Sequence, residues 1–445
     1  MFADNSSPLR LAVIGAGIAG LGAAWALSRR HAVTLYEEAS RCGGHANTVD
    51  VQIDGVETPV DTGFIVYNDR NYPHLVALFD YLAVATAPSD MSFAVSIDHG
   101  RIEYAGSDLN GLFAQRRNTV RPRFWRMLHD IRRFYRHAGR YLEQGVSGLS
   151  IGALLDREGY SPAFVEDHLV PMAAAIWSAS RDDIRQYPAD AFIRFFDNHG
   201  LLTVTQRPQW RTVTGGSREY VARLLADARL DTRLAAPVAR IRREADGVRV
   251  VDARGHAASF DGVVIATHAD QALALLADAD DDERAVLGAF RYSDNVAWLH
   301  EDSACMPRRR AAWSSWNYMH DARFDNARPL SVSYWMNRLQ PLATRRDLFV
   351  TLNPYATPKA VHGRFDYTHP VFTPATASAQ LRSAELQGRR RTWYCGAWLG
   401  HGFHEDGLQS GLWVADALGA PAPWQGSAGF DRLPASYRRP RSRAA

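Results

Sequence analysis

Lysine is almost missing from this chain: its 51 basic residues include one lysine, Lys359, in the loop-like stretch "NPYATPKAVHG". Any chemistry that needs a primary amine therefore has one candidate. Cysteine is scarce too, with Cys42, Cys305 and Cys395 at wide spacings. An odd, scattered set excludes a disulfide scaffold and a zinc site and suits a reducing, cytoplasmic compartment. The net charge of +3 is too small to call for nucleic acid or another polyanion. No metal-ligand spacing appears. Apart from residues 12–27, no run approaches the roughly 18 consecutive apolar residues of a membrane span. At 445 residues the chain exceeds what one hydrophobic core serves, so two domains are expected.

The apolar exception, "AVIGAGIAGLGAAWAL" (12–27), is a poor secretory signal. The preceding "MFADNSSPLR" offers one acid and one base, and Gly15, Gly17, Gly20 and Gly22 would weaken an apolar helix. A nucleotide-binding turn explains those glycines. "LRLAVIG" reads as a buried parallel strand, Gly15-x-Gly17-x-x-Gly20 follows at once, and "LGAAWALSRR" continues as a helix. Gly15 permits the turn, Gly17 lets a pyrophosphate approach, with Ala19 beside it on the positive helix end, and Gly20 lets helix and strand pack. "AVTLYE" then ends a second strand in Glu37, 22 positions after Gly15, where an acid takes ribose hydroxyls. The fold class predicted is α/β, a Rossmann-type domain with a parallel sheet, interleaved with a mixed α+β substrate domain.

After Glu37 the chain reads "EASRCGGHANTV" and resembles the flavin amine oxidase and phytoene desaturase superfamily, whose second strand ends in E-x-x-x-R-x-G-G-R. Glu37, Arg41, Gly43 and Gly44 match, and His45 replaces the final arginine. The resemblance implies FAD, with the Gly43-Gly44 backbone along its pyrophosphate; a histidine cannot supply arginine's permanent charge there. Four further segments carry the likeness. "PVDTGFIVYN" (59–68) resembles the segment under the flavin, with Thr62 and Gly63 in its turn. "TVTGGSREYVARLLA" (212–226) resembles a re-entry motif, with Thr214 where proline is commoner. Val238 stands where the family's backbone holds the adenine, ahead of "FDGVVIATHADQALALL". "TWYCGAWLGHGFHEDGLQSGLWVADAL" (392–418) resembles the terminal signature, which puts the Gly407-Leu408 amides at the flavin's pyrimidine end and Glu405 and Asp406 near the ribitol or at the helix cap.

This pattern assigns 8–95, 205–275 and 388–422 to the FAD domain, and 96–204 and 276–387 to the substrate domain. The Pro- and Arg-rich tail 424–445 is expected to be disordered. In "RPRFWRMLHDIRRFYRHAGRYL" (121–142), Phe124, Leu128, Ile131, Tyr135 and Ala138 share one helical face and Arg126, Arg133 and Arg140 lie elsewhere. Such a basic amphipathic helix is either a domain helix with a solvated arginine face or one that rests on the inner membrane surface.

The expected reaction is two-electron oxidation, with dioxygen or another acceptor reoxidising the flavin. In amine oxidation the superfamily places a lysine, through water, beside the flavin, and Lys359 is poorly placed for it. Asn295, His300, Asp302, Met306-Pro307 and Trp313 to Tyr318 resemble instead a bacterial branch associated with fatty-acid modification. The resemblance implies hydride removal from a small apolar or lipid acyl substrate, more easily at an allylic carbon. An amine or polyamine oxidase and a non-catalytic flavin-binding module are the alternatives. His401, His404, Trp398 and Tyr67 are the candidate catalytic or pocket residues. Trp393, Tyr394 and Trp398 resemble the region where amine oxidases build an aromatic cage, with ordinary core packing as the alternative. His300 reads as a satisfied strand histidine, and Cys42 and Cys395 are the thiols available for a covalent flavin link.

Overall fold

A computed structural model describes residues 7–146, 148–177, 179–203, 208–323 and 330–424. Most of the tail expected to be disordered lies outside them. A five-stranded parallel sheet forms one domain, in the order Leu230–Arg233, Ala32–Tyr36, Arg10–Ile14, Gly262–Ile265, Thr392–Tyr394. Its central strand buries alternate residues on opposite faces. Leu11 and Val13 pack towards helices Ile18–Leu27 and His404–Ala417, whereas Ala12 and Ile14 pack towards Ile241, Val250 and Phe260 of a three-stranded antiparallel sheet. Burial on both faces explains why these strands read as continuous aliphatic runs. The chain leaves the central strand to one side and later returns on the other, so the crevice at its carboxyl end is a topological switch point.

The second domain rests on a seven-stranded sheet in the order Val361–Val371, Arg291–His300, Phe349–Leu352, Ser331–Trp335, Trp316–His320, Phe93–Ile97, Ile102–Ala105. Strand Phe93–Ile97 straddles the boundary expected at residue 95 and belongs to this sheet. A helical layer packs beside it around Phe134, Phe164, Phe192 and Phe196. Helix Pro122–Glu143 divides its apolar residues between two surroundings: Phe124, Met127, Phe134, Ala138 and Tyr141 are buried in the helical core, while Leu128, Ile131 and Tyr135 are half-buried. The single stripe expected from the sequence is therefore split, and Met127, Phe134 and Tyr141 widen it. Arg126 and Arg140 lie on the exposed side, whereas Arg133 is half-buried against the Tyr160 ring, 4.3 Å from its centre.

Helix Asp281–Leu287, within the span expected for the substrate domain, packs instead into the nucleotide domain's core through Val286 and Leu287, and a buried ion pair braces it there. Glu283 accepts two hydrogen bonds from Arg243, at 2.7 and 2.9 Å, and one from the Tyr394 hydroxyl at 2.8 Å. Tyr394 lies on the strand that leads into the carboxy-terminal turn, so the pair fixes that strand's position. Burial raises the Glu283 carboxyl, but the Arg243 hydrogen bonds outweigh it and hold the group at about 2.

Removing one partner of such a pair strands the other charge, so Glu283→Gln should cost about 3 kcal/mol. Because the folded pKa is depressed, the stabilisation is complete above the unfolded value of about 4.3 and disappears as pH falls through the folded one. Thermal melts of wild type and variant should differ at pH 7 and converge towards about pH 2; equal melts at pH 7 would remove the pair from this role.

Candidate active site

The central strand ends at Gly15, whose φ of +98° turns the chain into helix Ile18–Leu27. That helix has no side-chain cap and no acid in its first turn, so its leading amides are free to meet an anion. A Cβ on Gly20 would lie 1.8 Å from the Gly15 carbonyl oxygen, so only glycine allows this packing. A Cβ on Gly17 would meet nothing within 4 Å: the space before it is open. Glu37 closes the other side, accepting from the Ala16 amide at 2.6 Å and the Ala39 amide at 2.9 Å.

The Gly43-Gly44 loop runs opposite, and both residues have left-handed backbones. Gly44 comes so close to Gly17 that its Cβ would lie 3.1 Å from the Gly17 Cα. Arg41 does not reach the cavity. Its guanidinium donates to the carbonyls of Gly44 (2.9 Å) and Ala46 (3.0 Å) and so braces the loop from outside. His45 does reach it. Its ring stacks on Tyr367 at 4.9 Å, and its buried Nε2 has no hydrogen-bond partner among the described residues. Burial first, then the neighbouring His369, His268 and His404, pushes its pKa down, so the ring is neutral.

These residues open into one cavity of about 930 Å³. Gly15, Gly17, Ala19, Glu37, Gly44, His45, Thr62, Gly63 and Val238 line it at one end, and Trp398, His401 and His404 line its middle wall. His404 stacks on Phe64 at 3.8 Å and shares a 3.0 Å hydrogen bond with the Tyr220 hydroxyl; burial lowers its pKa to about 3. Trp398 donates to the Thr267 carbonyl at 3.3 Å and meets Phe290 edge-on. Beyond them the cavity continues between Leu128, Ile131 and Tyr135 of the basic helix and Met172 and Ile176 of helix Val170–Trp177. His168 also lines this end. It sits in a π-helical turn, Val165–Leu169, where its Nδ1 lies 3.0 Å from the Tyr104 hydroxyl.

Other residues singled out in the sequence fall elsewhere. Tyr67 is buried in the core against Tyr72 and Phe79 and does not line the cavity. Glu405 accepts from the amides of His74 (2.9 Å) and Leu75 (3.0 Å), which caps helix Pro73–Tyr81. Asp406 accepts from the Phe403 amide at 2.9 Å. Gly43 and Gly20 are packing residues behind the lining. Gly407 and Leu408 serve the crossing of two helices: a Cβ on Gly407 would lie 2.9 Å from the Ile18 Cγ2, and one on Gly22 would lie 2.6 Å from the Leu408 Cδ1. Trp393 and Tyr394 are buried away from the cavity, so the three aromatics form no cage, and neither Cys42 nor Cys395 faces it. His300 is satisfied within its sheet by Thr351 and the Asp302 amide. Lys359 is exposed on its loop. Among the described residues no group of His, Cys, Asp and Glu could hold a metal ion, and no helix is long and apolar enough to cross a membrane.

Sequence reasoning missed the wall built by Tyr367, Thr368, His369 and Pro370 of the edge strand Val361–Val371. The Tyr367 hydroxyl lies 2.9 Å from the Thr62 hydroxyl and accepts from the Asn47 amide at 3.0 Å, which joins this strand to the segment 59–68. The only local signal was the odd sight of two histidines and a tyrosine within one exposed-edge strand.

An uncapped helix start, an open Gly17, an acid closing the second strand and the switch-point position together define a dinucleotide-binding oxidoreductase fold. The profile of the flavin-containing amine oxidoreductase family matches residues 18–285, more than half of the chain. The chain belongs to that family and is an FAD-dependent oxidoreductase. It is similar to an L-amino-acid oxidase of Pseudechis australis, 49% identical over 52 residues, which is 12% of this chain and 10% of that protein. Solved structures share its fold over nearly the whole length. A CLA-producing fatty acid isomerase from P. acnes superposes with a TM-score of 0.65 at 16% identity, covering 92% of this chain and 98% of its own. Putrescine oxidase bound to putrescine gives 0.64 at 14% identity, covering 93% and 99%. Cyclohexylamine oxidase from Brevibacterium oxydans gives 0.64 at 16%, covering 92% and 98%.

Gly17 and Gly20 separate binding from folding. Gly17→Ala should leave the apoprotein's melting temperature within about 1 °C, since a methyl there touches no protein atom and ordinary backbone angles suffice. It should weaken FAD binding at least tenfold, read by fluorescence titration, because the methyl occupies the phosphate's path. Gly20→Ala should fail to give soluble apoprotein. Equal FAD affinity in Gly17→Ala would show that the phosphates lie elsewhere.

Proposed function

We propose that this protein oxidises an apolar acyl chain, at an allylic position, with FAD lying along the amino-terminal half of the cavity. Bound FAD supplies the two-electron acceptor that takes up the hydride. In this reading the leading amides of helix Ile18–Leu27 and the backbone at Gly15, Gly17, Ala19 and Gly44 hold the pyrophosphate, Glu37 holds the ribose, Val238 lies by the adenine, and Thr62 and Gly63 lie by the ring. His45 contributes a neutral hydrogen bond in place of a fixed charge.

The carrying observation is the character of the cavity wall beyond the cofactor half. Among the described residues it holds no lysine, arginine or aspartate, and its only glutamates, Glu37 and Glu38, stand at the nucleotide end. An ammonium or polyamine would be stripped of water there with no counter-charge, at a cost of several kcal/mol. Methylenes between Leu128, Ile131, Met172 and Ile176 gain about 0.8 kcal/mol each on burial. The chamber's aromatics, with His45, His168, His369 and His404 held neutral by burial, exclude water and orient the chain rather than supply charge. Structural likeness to a fatty acid isomerase is in keeping with an acyl substrate.

Access fits the same reading. Val120 and Trp125, 80% and 52% exposed, stand at the start of the helix whose inner side lines the cavity, and Leu109, 74% exposed, begins the short helix Leu109–Leu112 that precedes it in the chain. Arg116, Arg126, Arg132, Arg136 and Arg140 are exposed around and beyond them. Exposed apolar side chains followed by guanidinium groups along one helix suit the surface of an anionic bilayer, from which an acyl chain would pass inward.

Anaerobic mixing of holoenzyme with unsaturated fatty acids or their phospholipids should bleach the oxidised flavin, and amines should not. Bleaching by putrescine or another amine alone would replace this reading with the amine oxidase one, and no bleaching by either would favour a non-catalytic flavin module. Ile131→Trp should lower kcat/KM for long acyl chains about tenfold while leaving short ones nearly unchanged, since it narrows only the distal part. Binding to anionic vesicles should weaken with added salt and fall further in a Val120→Ser, Trp125→Ala double variant; retention by neutral vesicles alone would discard the electrostatic contact.

A further inference from the structure

The edge strand Val361–Val371 passes between the two ends of the chain that close on the cavity. On one side, the His369 ring lies 5.4 Å from that of His45, next to the Gly43-Gly44 loop. On the other, Pro370 abuts the carboxy-terminal turn: a Cβ on Gly402 would lie 3.4 Å from the Pro370 Cγ. His369 therefore stands where the loop and the turn converge, and it lines the cavity.

A chain of hydrogen bonds fixes which of its nitrogens carries the proton. The Val296 amide donates to the Asn353 Oδ1 at 2.9 Å. A backbone N–H can only donate, so this bond decides which end of the Asn353 amide is oxygen. Its Nδ2 then donates to the Asn295 Oδ1 at 2.8 Å. That leaves the Asn295 Nδ2 to donate to the His369 Nδ1 at 3.0 Å and to the Ser293 carbonyl at 3.0 Å. An imidazole nitrogen that accepts a hydrogen bond bears no proton, so the neutral ring carries its hydrogen on Nε2. Burial, aided by His268, lowers the pKa of His369 to about 4, which keeps the ring neutral near pH 7. Asn353 itself is held at φ +47°, a left-handed conformation that asparagine tolerates better than other non-glycine residues. Both its backbone angle and its side chain thus suit the first position of the relay. No described residue takes a hydrogen bond from Nε2.

We propose that His369 is a fixed, uncharged hydrogen-bond donor at the junction of cofactor and substrate, oriented by the relay Val296–Asn353–Asn295 and presenting Nε2–H to a neutral acceptor oxygen or nitrogen. The proposal rests on the cavity being the FAD and substrate site. In this tautomer His369 cannot take a proton from substrate: Nε2 already holds one and Nδ1 is occupied by Asn295. It acts as an electrophilic or orienting group, and its acceptor is either an atom of the flavin ring or a carbonyl oxygen of the substrate.

The tautomer is readable without cofactor or turnover. In 15N-histidine-labelled apoprotein, the resonances lost in His369→Phe identify the ring, and its nitrogen shifts should report protonated Nε2. Asn353→Gly keeps the left-handed backbone but removes the amide, and should shift the ring towards a mixture of tautomers. In substrate-free holoenzyme, His369→Phe should displace the oxidised flavin's absorption bands and lower its midpoint potential if the acceptor is on the ring. If the flavin is unchanged and KM for a carbonyl-bearing acyl substrate rises about fivefold, as for one lost neutral hydrogen bond, the acceptor is on the substrate. His369→Gln, which retains an N–H donor, should recover most of either effect. A protonated Nδ1 in wild type overturns the proposal, as does a His369→Phe holoenzyme with unaltered flavin and unaltered KM. If FAD fails to bind wild-type protein, the site assignment falls while the tautomer measurement still stands.

Discussion

Everything at this site depends on two helices that touch backbone to backbone although nearly the whole chain separates them. Helix Ile18–Leu27 and helix His404–Ala417 cross at Gly22, Gly407 and Gly411, and a Cβ on Gly411 would lie 2.2 Å from the Ala19 carbonyl oxygen. The crossing holds the leading turn of the first helix against the turn 396–403 that precedes the second. Side chains at these positions would push the turns apart and open the chamber between them. Ala19 and Ala23 of the first helix lie at the same contact: the Ala23 nitrogen would be 3.0 Å from a Cβ on Gly411. An apolar stretch rich in small residues is thus the imprint of a close helix crossing as much as of a nucleotide turn.

The two domains are tied together by a buried carboxylate. Asp61 accepts from the hydroxyls of Thr48 (2.6 Å) and Ser217 (2.7 Å), from the Ser217 amide, and from the Gln340 side chain at 2.9 Å. One side chain thereby joins the hairpin 48–61, the start of helix Arg218–Asp227 and a residue of the substrate domain. Burial raises Asp61 to about 6 against the pull of those hydrogen bonds. The turn Asp61-Thr62-Gly63 accordingly divides its labour: Asp61 faces the scaffold, while Thr62 and Gly63 face the cavity.

What the sequence disclosed followed from contiguity. Strand, turn, helix and second strand from Leu11 to Glu37 lie within one continuous segment, and each glycine's neighbour is a few residues away, so the spacing carries the geometry. The carboxy-terminal turn lies within one continuous segment too, and Trp398, His401 and His404 line the cavity. Reading failed where a residue's task is set by a distant partner. Glu405 looks like a cofactor ligand until the amides of His74 and Leu75 are seen beneath it. Tyr67, a candidate pocket residue, packs instead against Tyr72 and Phe79 in the core. His369 carries little local signature beyond its strand's unusual histidines and tyrosine, because its neighbours across the sheet, Ser293 and Asn295, come from another part of the chain. The long basic helix was recognised, but its apolar arc serves two surroundings at once, which periodicity alone does not separate.

The composition of the chamber wall bears on what the enzyme can survive. Under the proposed acyl-chain reaction, a substrate that also carried a carbonyl group would leave as a conjugated, electrophilic product. Such products alkylate thiols and primary amines most readily. Among the described residues neither kind of nucleophile faces the cavity: Cys395 is sealed in the core, Cys42 lies behind the loop, and Lys359 is out on the surface. With thiols and lysine kept away, the nucleophiles such a product would meet in the chamber are its histidines, which react more slowly than a thiol.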